Sequence, residues 1–254
     1  MRLRVLGCSG GIGGNLRTTS FLLDQDVLID AGTGVMELSL TELALIDHVF
    51  VTHSHLDHIA CIPFMVDSVG FMRDRPLTIY ASEETLDILR QHIFNWKIWP
   101  DFSEIPNAQQ PYMCYQSIEL GVTTVLDGRK ITSIPANHVV PAVGYHLDSG
   151  AASLIFSGDT TTNDPLWDVV NKIDNLRYLV IETAFSNSEK ELAVVSKHLC
   201  PSMLADELAK FKREAEIYIT HLKPGELELT MGEIEDCVLG LSPRMLLNNQ
   251  VFEF

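Results

Sequence analysis

The stretch Thr52-His-Ser-His-Leu-Asp-His-Ile-Ala60 holds three histidines and one aspartate within six consecutive residues. His53 and His55 are two positions apart, so in an extended segment their side chains face the same side. Asp57 and His58 come where we expect a helical turn to begin. Such a bend can direct two pairs of ligands at two neighbouring metal ions, and imidazole with carboxylate suits zinc, iron, manganese or nickel. The alternative is a histidine-rich surface loop.

Further residues of metal-binding type stand just past the ends of other apolar segments that we predict to be strands. They are His138 after Ile131–Pro135, Asp159 after Ser153–Phe156, Glu182 after Tyr178–Ile181 and His221 after Ile217–Thr220. Loops at the carboxyl ends of strands are where α/β proteins build their sites. With the His53–His58 run, which follows the predicted strand His48–Thr52, five strand ends carry such residues, and this favours one shared site over a surface loop.

The composition limits the partners of such a site. The chain has 254 residues, 46% of them hydrophobic and 20% charged, which is typical of a globular protein. Its net charge of −16 argues against broad electrostatic binding of DNA or RNA. A small anionic substrate is still compatible, because bound metal ions reverse the local sign of a site.

The cysteines and the apolar segments indicate a compartment. The five cysteines are scattered without a CxxC pair, so we expect free thiols in a reducing environment. No apolar run approaches the ~20 residues of a membrane helix, and the N-terminus lacks the features of a signal peptide. We therefore expect a cytoplasmic protein without membrane association.

Apolar runs and capping signals predict many strands alternating with helices, which favours two sheets with helices outside. Besides those above, the predicted strands are Arg2–Gly7, Ser20–Leu23, Val27–Ile29, His48–Thr52, Leu77–Ala81 and Val143–Leu147. Asp164 before Pro165 predicts a helix N-cap, and Thr230 with Glu233 predicts a capping box. Residues 94–116 are predicted to be irregular, either a lid or a surface excursion.

The glycine-rich stretch Gly7–Asn15, GCSGGIGGN, raises the question of a phosphate-binding loop. It lacks the lysine of a Walker loop, and a strand-like segment rather than a helix follows it. We therefore expect a turn between the first two strands, where glycine adopts positive φ at little cost.

HSHLDH is the HxHxDH signature of the metallo-β-lactamase fold, and the chain resembles that superfamily over almost its full length. The resemblance rests on Asp30 in LIDAG, on HSHLDH, and on His138, Asp159 and His221 in that order. It implies an α/β protein with a four-layer αββα sandwich, mixed sheets inside and helices outside. We expect one domain over residues 1–254, with a dinuclear metal site between the sheets.

The resemblance assigns roles to individual residues. His53, His55 and His138 match the ligands of one metal ion, and Asp57, His58 and His221 match those of the second. Asp159 matches the bridging carboxylate, and Asp30 matches a buried aspartate that supports the ligand loop. The implied cofactors are two divalent ions, zinc first, with manganese or iron as alternatives.

Four features resemble the phosphodiesterase branch of the superfamily, which includes tRNase Z. Asp159 stands where the commonest β-lactamases have cysteine, and His138 begins an H-x5-GY pattern. Glu182 and His198 resemble the branch's glutamate–histidine pair, in which the histidine acts at the phosphate. The run HSHLDHIACIPFMVDS resembles class II 3′,5′-cyclic-nucleotide phosphodiesterases. We expect catalytic roles for His198, Glu182 and Asp57.

The predicted function is thus hydrolysis of a small phosphodiester, a cyclic nucleotide first, by water activated at the metals. Residues 94–116 contain only Lys97 as a basic residue, unlike the tRNA-gripping arm of tRNase Z, so we expect neither tRNA nor DNA as substrate. Arg17 and Lys223 either contact phosphate or are solvated charges. The resemblance also implies a homodimer. Alternatives are a tRNase Z-like ribonuclease, a thioester or lactone hydrolase, and a di-iron oxygen-binding or redox protein.

Overall fold

Two seven-stranded mixed sheets lie face to face in the computed structural model, which describes residues 1–254. The first sheet consists of β1 (Arg2–Gly7), β2 (Ser20–Leu23), β3 (Val27–Ile29), β4 (His48–Phe50), β5 (Leu77–Ala81), β6 (Met113–Ser117) and β14 (Val251–Glu253). The second consists of β7 (Thr123–Leu126), β8 (Arg129–Pro135), β9 (Val143–Asp148), β10 (Ser153–Phe156), β11 (Leu176–Glu182), β12 (Glu216–Thr220) and β13 (Arg244–Met245).

Helices occupy the connections between the parallel strands and cover the outer faces. They are α1 (Leu40–Leu45), α2 (Leu56–Ile59), α3 (Cys61–Val69), α4 (Glu83–Ile88), α5 (Asp164–Val170), α6 (Lys190–Ser196), α7 (Pro201–Leu208) and α8 (Leu227–Cys237). Short helical turns lie at Thr33–Glu37, Gly70–Met72, Leu89–Ile93 and Asn187–Glu189. None of these helices has the length and apolar content needed to cross a membrane.

The two sheets repeat one pairing pattern. In the order β14-β1-β2-β3-β4-β5-β6, the first three pairs are antiparallel and the last three are parallel. The order β7-β8-β9-β10-β11-β12-β13 shows the same sequence of pairings. The parallel strands of each sheet therefore end at a common edge, where loops can meet.

Three separate hydrophobic clusters confirm the expected αββα layers. One lies between the first sheet and α3, one between the second sheet and α5 to α8, and one between the sheets. In the middle cluster Phe21 meets Phe156 edge-on with ring centroids 4.9 Å apart, and Phe50 meets Tyr145 at 5.7 Å. Edge-to-face aromatic pairs of this kind fix how two sheets pack.

All ten strands predicted from the sequence are present, with ends that shift by at most two residues. The structure adds β6, β7, β13 and β14, which are the four edge strands of the two sheets. Edge strands are short and partly exposed, as the half-exposed pattern of β7 shows, so they lack the apolar runs of central strands.

Two predicted helix starts are wrong. The N-cap of α5 is Asn163, whose side chain accepts the Leu166 amide, so Asp164 is the first helical residue. Thr230 lies inside α8, which begins at Leu227. Of the segment 94–116 predicted to be irregular, residues 94–112 contain neither helix nor strand, but residues 113–116 belong to the edge strand β6. Phe94 and Phe102 anchor the irregular part in the cluster beneath α3.

Arg129 ties the two sheets together at the edge remote from the site. Its guanidinium, in β8, bonds Asp26 Oδ2 at 2.8 Å and Asp24 Oδ2 at 3.3 Å, both in the turn between β2 and β3. Burial raises the pKa of Asp26, but the bond and charge of Arg129 outweigh it and lower that pKa below its ordinary value. The pair thus stabilises the fold while Asp26 is ionised.

We expect Arg129→Met to lower the free energy of unfolding by about 2 kcal/mol at pH 7, because it leaves a half-buried carboxylate without its partner. Since the folded pKa of Asp26 is lowered, the stabilisation is present above its unfolded pKa of about 3.9 and is lost as pH falls through the folded pKa. Urea unfolding of the metal-free protein at pH 7 and pH 3 measures both effects. Arg244→Met, which breaks an exposed ion pair with Glu216, is the control. An equal loss in both variants contradicts the prediction.

Candidate metal centre

The loop after β4 folds as the spacing of its histidines predicts. His53 and His55 lie in the extended segment, and the short helix α2, Leu56–Ile59, carries Asp57 and His58. His53 and His58 are fully buried, whereas His55 and Asp57 are half-buried toward solvent. The bend therefore directs His53 and His55 toward one ligand group and Asp57 and His58 toward another, from one short segment.

Two groups of side chains form around this loop, each with potential ligand atoms within 4.8 Å of one another. The first is His53, His55 and His138, and the second is Asp57, His58, Asp159 and His221. In the first group, His138 Nε2 lies 3.1 Å from His55 Nδ1. The structure thus brings all seven predicted ligands together.

Asp159 lies between the two groups. Its Oδ2 is 3.3 Å from His58 Nε2 and 3.6 Å from His53 Nε2, and its Oδ1 is 3.4 Å from His221 Nδ1. It follows β10, and its side chain is almost completely buried. A carboxylate that faces histidines of both groups has the position of a bridging ligand.

The donor set fits a metal centre on one further observation. His53 Nε2, His58 Nε2 and His221 Nδ1 are buried and have no hydrogen-bond partner. Buried polar atoms are almost always hydrogen-bonded, so converging orphans require another partner. Imidazole nitrogens and carboxylate oxygens are ligands for divalent zinc, manganese or iron, so a cation in each of the two groups would satisfy these atoms.

The ionisation of three of the histidines, His53, His138 and His221, agrees with this use. Burial lowers the pKa of His53 well below its ordinary value, that of His138 to about 4 and that of His221 to about 3. These imidazoles are neutral near pH 7, which is the form that binds a metal ion. Burial raises the pKa of Asp159, but its interactions with His221 and His58 outweigh it and hold that pKa well below its ordinary value.

Asp30 supports the ligand loop from beneath. Its carboxylate lies 2.6 Å from His58 Nδ1 and accepts from the Thr52 amide at 2.7 Å and the Thr52 hydroxyl at 2.8 Å. Because Nδ1 of His58 is engaged, Nε2 is left to face Asp159. Burial opposes charge on His58, but Asp159 and Asp30 outweigh it and raise the pKa of that histidine.

Glu182 and His198 form a hydrogen-bonded pair beside these groups. Glu182 Oε1 lies 2.7 Å from His198 Nδ1 and also accepts the Thr160 amide at 3.1 Å. Burial opposes charge on His198, but the Glu182 carboxylate outweighs it and raises the pKa of His198. His198 also belongs to a group with His138 and Asp159 whose potential ligand atoms lie within 4.8 Å of one another, so its ring borders the same space.

The glycine-rich stretch braces His221. The Cys8 carbonyl accepts the His221 amide at 2.7 Å, and the Gly10 amide donates to the Leu222 carbonyl at 3.0 Å. A Cβ at Gly10 would collide with the His221 carbonyl oxygen, so the close approach requires glycine. Gly14 has the expected positive φ of 52°. This stretch contacts a predicted ligand rather than forming a phosphate loop.

The two cations proposed for phosphate already have partners. Arg17 pairs with Glu37 at 3.1 Å and donates to the Gly14 and Leu16 carbonyls. Lys223 Nζ donates to the Gly10 carbonyl at 2.7 Å. Their contact with substrate stays a prediction.

Sequence reasoning missed three residues that hold the site. Thr52 Oγ1 contacts Asp30 and lies 3.0 Å from His53 Nδ1; the only signal for Thr52 is its place directly before the ligand run. Tyr145, of the H-x5-GY pattern, donates its hydroxyl to the Val51 carbonyl at 2.8 Å. The Lys197 carbonyl lies 3.1 Å from His138 Nδ1, and no local sequence pattern predicts this contact.

A further group, Asp26, Asp47 and His48, lies at the amino ends of β3 and β4, the opposite edge of the sheet. Both oxygens of Asp26 bond Arg129, and those of Asp47 pair with Arg73 and Arg75. Because arginines already neutralise these carboxylates, this group is a poor candidate for a metal site. The candidate metal ligands are therefore those at the edge where the parallel strands have their carboxyl ends.

Comparisons with known proteins agree with this geometry. A family profile described as "Beta-lactamase superfamily domain" matches residues 25–226. A protein of Yersinia pestis named "Probable 3′,5′-cyclic-nucleotide phosphodiesterase" is 27% identical, over 86% of this chain and 77% of its own length. A 3′,5′-cyclic-nucleotide phosphodiesterase of Aliivibrio fischeri is 25% identical, over 98% of this chain and 86% of its own.

The fold also has close counterparts among solved structures. The structure of unliganded yeast PDE1 superposes with a TM-score of 0.81 at 18% identity, and the alignment covers 98% of each chain. At that identity the likeness concerns the fold alone. The αββα architecture therefore holds over nearly the whole chain.

Proposed function

This chain belongs to the β-lactamase superfamily. From that membership we propose that it is a metal-dependent phosphodiesterase that hydrolyses a small phosphodiester. The observation that carries the proposal is the Glu182–His198 pair beside the two ligand groups. The names of the relatives from Yersinia pestis and Aliivibrio fischeri support a 3′,5′-cyclic nucleotide as the first substrate to test.

Two divalent ions would be held at the proposed centre, one by His53, His55 and His138 and the other by Asp57, His58 and His221, and Asp159 would serve both groups. Zinc is the first candidate, and manganese or iron would suit the same ligands. When bound, such ions supply Lewis acidity toward a phosphoryl oxygen and lower the pKa of water. The side chains of the protein would orient the substrate and transfer protons.

His198 is proposed as the proton donor to the leaving alkoxide. Because Glu182 raises its pKa, the imidazole keeps a proton near neutral pH that it can release in the reaction. The carboxylate of Glu182 holds Nδ1, so the opposite ring nitrogen faces the substrate. Asp57, half-buried and 3.7 Å from His221 Nε2, faces the same space as ligand and acid–base group.

The charge distribution supports a small substrate over tRNA. The net charge is −16, and the lysines and arginine nearest the site are engaged by protein atoms. A polyanion needs several free cations along its backbone, whereas a cyclic nucleotide presents one phosphodiester. A homodimer stays part of the proposal on the strength of the family resemblance.

We expect the protein loaded with zinc or manganese to hydrolyse a 3′,5′-cyclic mononucleotide with kcat/KM at least about tenfold above that for a thioester, a difference of about 1.4 kcal/mol in activation free energy. The measurement is a panel of cyclic mononucleotides, cyclic dinucleotides, bis-p-nitrophenyl phosphate, a thioester, a lactone and precursor tRNA. Protein stripped with a chelator is the control.

Thioester or lactone hydrolysis without diester hydrolysis would contradict the proposal, and so would cleavage of precursor tRNA alone. Anaerobic purification followed by metal analysis and a visible spectrum tests the di-iron alternative. An oxygen-dependent iron band without hydrolytic activity would replace the phosphodiesterase assignment.

A further inference from the structure

Lys197 joins the loop that carries His138 to the loop that carries His198. Its Nζ donates to the His138 carbonyl at 3.1 Å and to Asn137 Oδ1 at 3.2 Å. Its own carbonyl lies 3.1 Å from His138 Nδ1. One residue thus contacts both the backbone and the ring of a proposed ligand, from a position directly before His198.

The carbonyl contact determines how His138 presents its ring. With Nδ1–H donated to the Lys197 carbonyl, Nε2 carries the lone pair, and it is Nε2 that lies 3.1 Å from His55 Nδ1. The ammonium group of Lys197 donates to the His138 carbonyl, so hydrogen bonds in both directions connect the Lys197 segment to the His138 segment. The rings of His138 and His198 lie with centroids 4.9 Å apart, across the same junction.

The backbone of Lys197 adopts a conformation that usually favours glycine. Lys197 is the C-cap of α6 and has φ 53° and ψ 51°, the left-handed conformation. Glycine or asparagine is usual at such caps, because a Cβ there costs conformational energy. Strain of this kind persists where surrounding structure and function require it. A lysine at a glycine position suggests a use for its ammonium group.

We propose that Lys197 is a positioning residue whose ammonium group fastens the His138 loop to the His198 loop. This contact orients the His138 ring for metal binding. It also sets the distance between His138 and the proposed proton donor, His198. This inference rests on the proposed metal centre. It concerns neither a direct contact with substrate nor a proton transfer by Lys197.

The test separates positioning from folding. Lys197→Gly keeps the carbonyl and relieves the left-handed strain, so the melting temperature of the metal-free protein should be unchanged or higher. Lost support of a ligand typically costs about 10–100-fold in metal affinity or activity. We therefore expect that loss in Zn²⁺ affinity, measured by competition with a fluorescent chelator, and a matching fall in kcat.

Two further variants complete the design. Lys197→Met keeps the strain and removes the ammonium, and it should lose as much Zn²⁺ affinity as Lys197→Gly. Asn249→Gly is the matched control, because Asn249 is an exposed left-handed residue with φ 65°, and it should change neither affinity nor kcat.

Full Zn²⁺ affinity and kcat in Lys197→Gly would overturn the inference, and so would a loss confined to Lys197→Met. The wild-type protein separates the two proposals. Zinc binding without diester hydrolysis would remove the proposed function and leave the role of Lys197 standing. A wild-type chain that binds no zinc would overturn both.

Discussion

Asp159→Ala is expected to lose bound metal and nearly all turnover, the largest effect of any single change in this protein. Its two oxygens face His53, His58 and His221 within 3.6 Å, so it is the one carboxylate that reaches both ligand groups. Losing several kcal/mol of charge stabilisation by the metals corresponds to about three decades or more in rate. Metal per chain, measured by elemental analysis, and kcat/KM for a cyclic nucleotide give the two readouts.

Asp159→Asn refines this test, because it keeps the size of the side chain and removes its charge. We expect weaker metal binding than in the wild type and a similar loss of turnover. Asp168→Asn, an exposed aspartate on α5, is the matched control and should retain metal and activity. Wild-type metal content in Asp159→Ala would rule out the bridging role of Asp159.

His198→Ala is expected to retain both metal ions and to lose about two to four decades of turnover, the usual range for a general acid. The pKa of His198 is raised by Glu182, so we expect the wild-type ring to hold a proton that it can donate near neutral pH. The leaving group supplies a sharper readout. A cyclic nucleotide expels an alkoxide that needs a proton, whereas bis-p-nitrophenyl phosphate expels a stable phenolate. The loss should therefore be much larger for the cyclic nucleotide.

The competing role for His198 is that of a metal ligand, since its ring also groups with His138 and Asp159 within 4.8 Å. Metal content decides between the two roles. Loss of a metal ion in His198→Ala, with equal damage to both substrates, would make His198 a ligand instead of an acid. His92→Ala, an exposed histidine remote in sequence from the ligands, is the control.

The ligand residues were predictable because their signals are local. A central strand is buried on both sides and reads as an apolar run, so its end is visible in the sequence, and the residue after it must lie at the edge of the sheet. Asp159 after β10 and His221 after β12 were placed in this way. The spacing within His53–His58 likewise describes one bend of a single short segment.

The errors have an equally physical origin. Edge strands β7 and β13 carry few buried side chains, so nothing in their residues distinguishes them from loops. The start of α5 was misplaced by one residue because Asn163 and Asp164 are both good N-caps. Only the hydrogen bond from the Leu166 amide to Asn163 distinguishes them.

By itself the sequence determined the residue types of the candidate site, their positions at strand ends and the arrangement of two sheets with helices outside, because these depend on residue chemistry and on periodicity over a few positions. Only the tertiary structure decided which atoms face one another. The Lys197 carbonyl meets His138 across 59 residues, and the Tyr145 hydroxyl meets Val51 across 94. The Lys223 ammonium meets the Gly10 carbonyl across 213 residues. Such contacts follow from how strands distant in sequence pair and which way each side chain turns, and no local pattern encodes either.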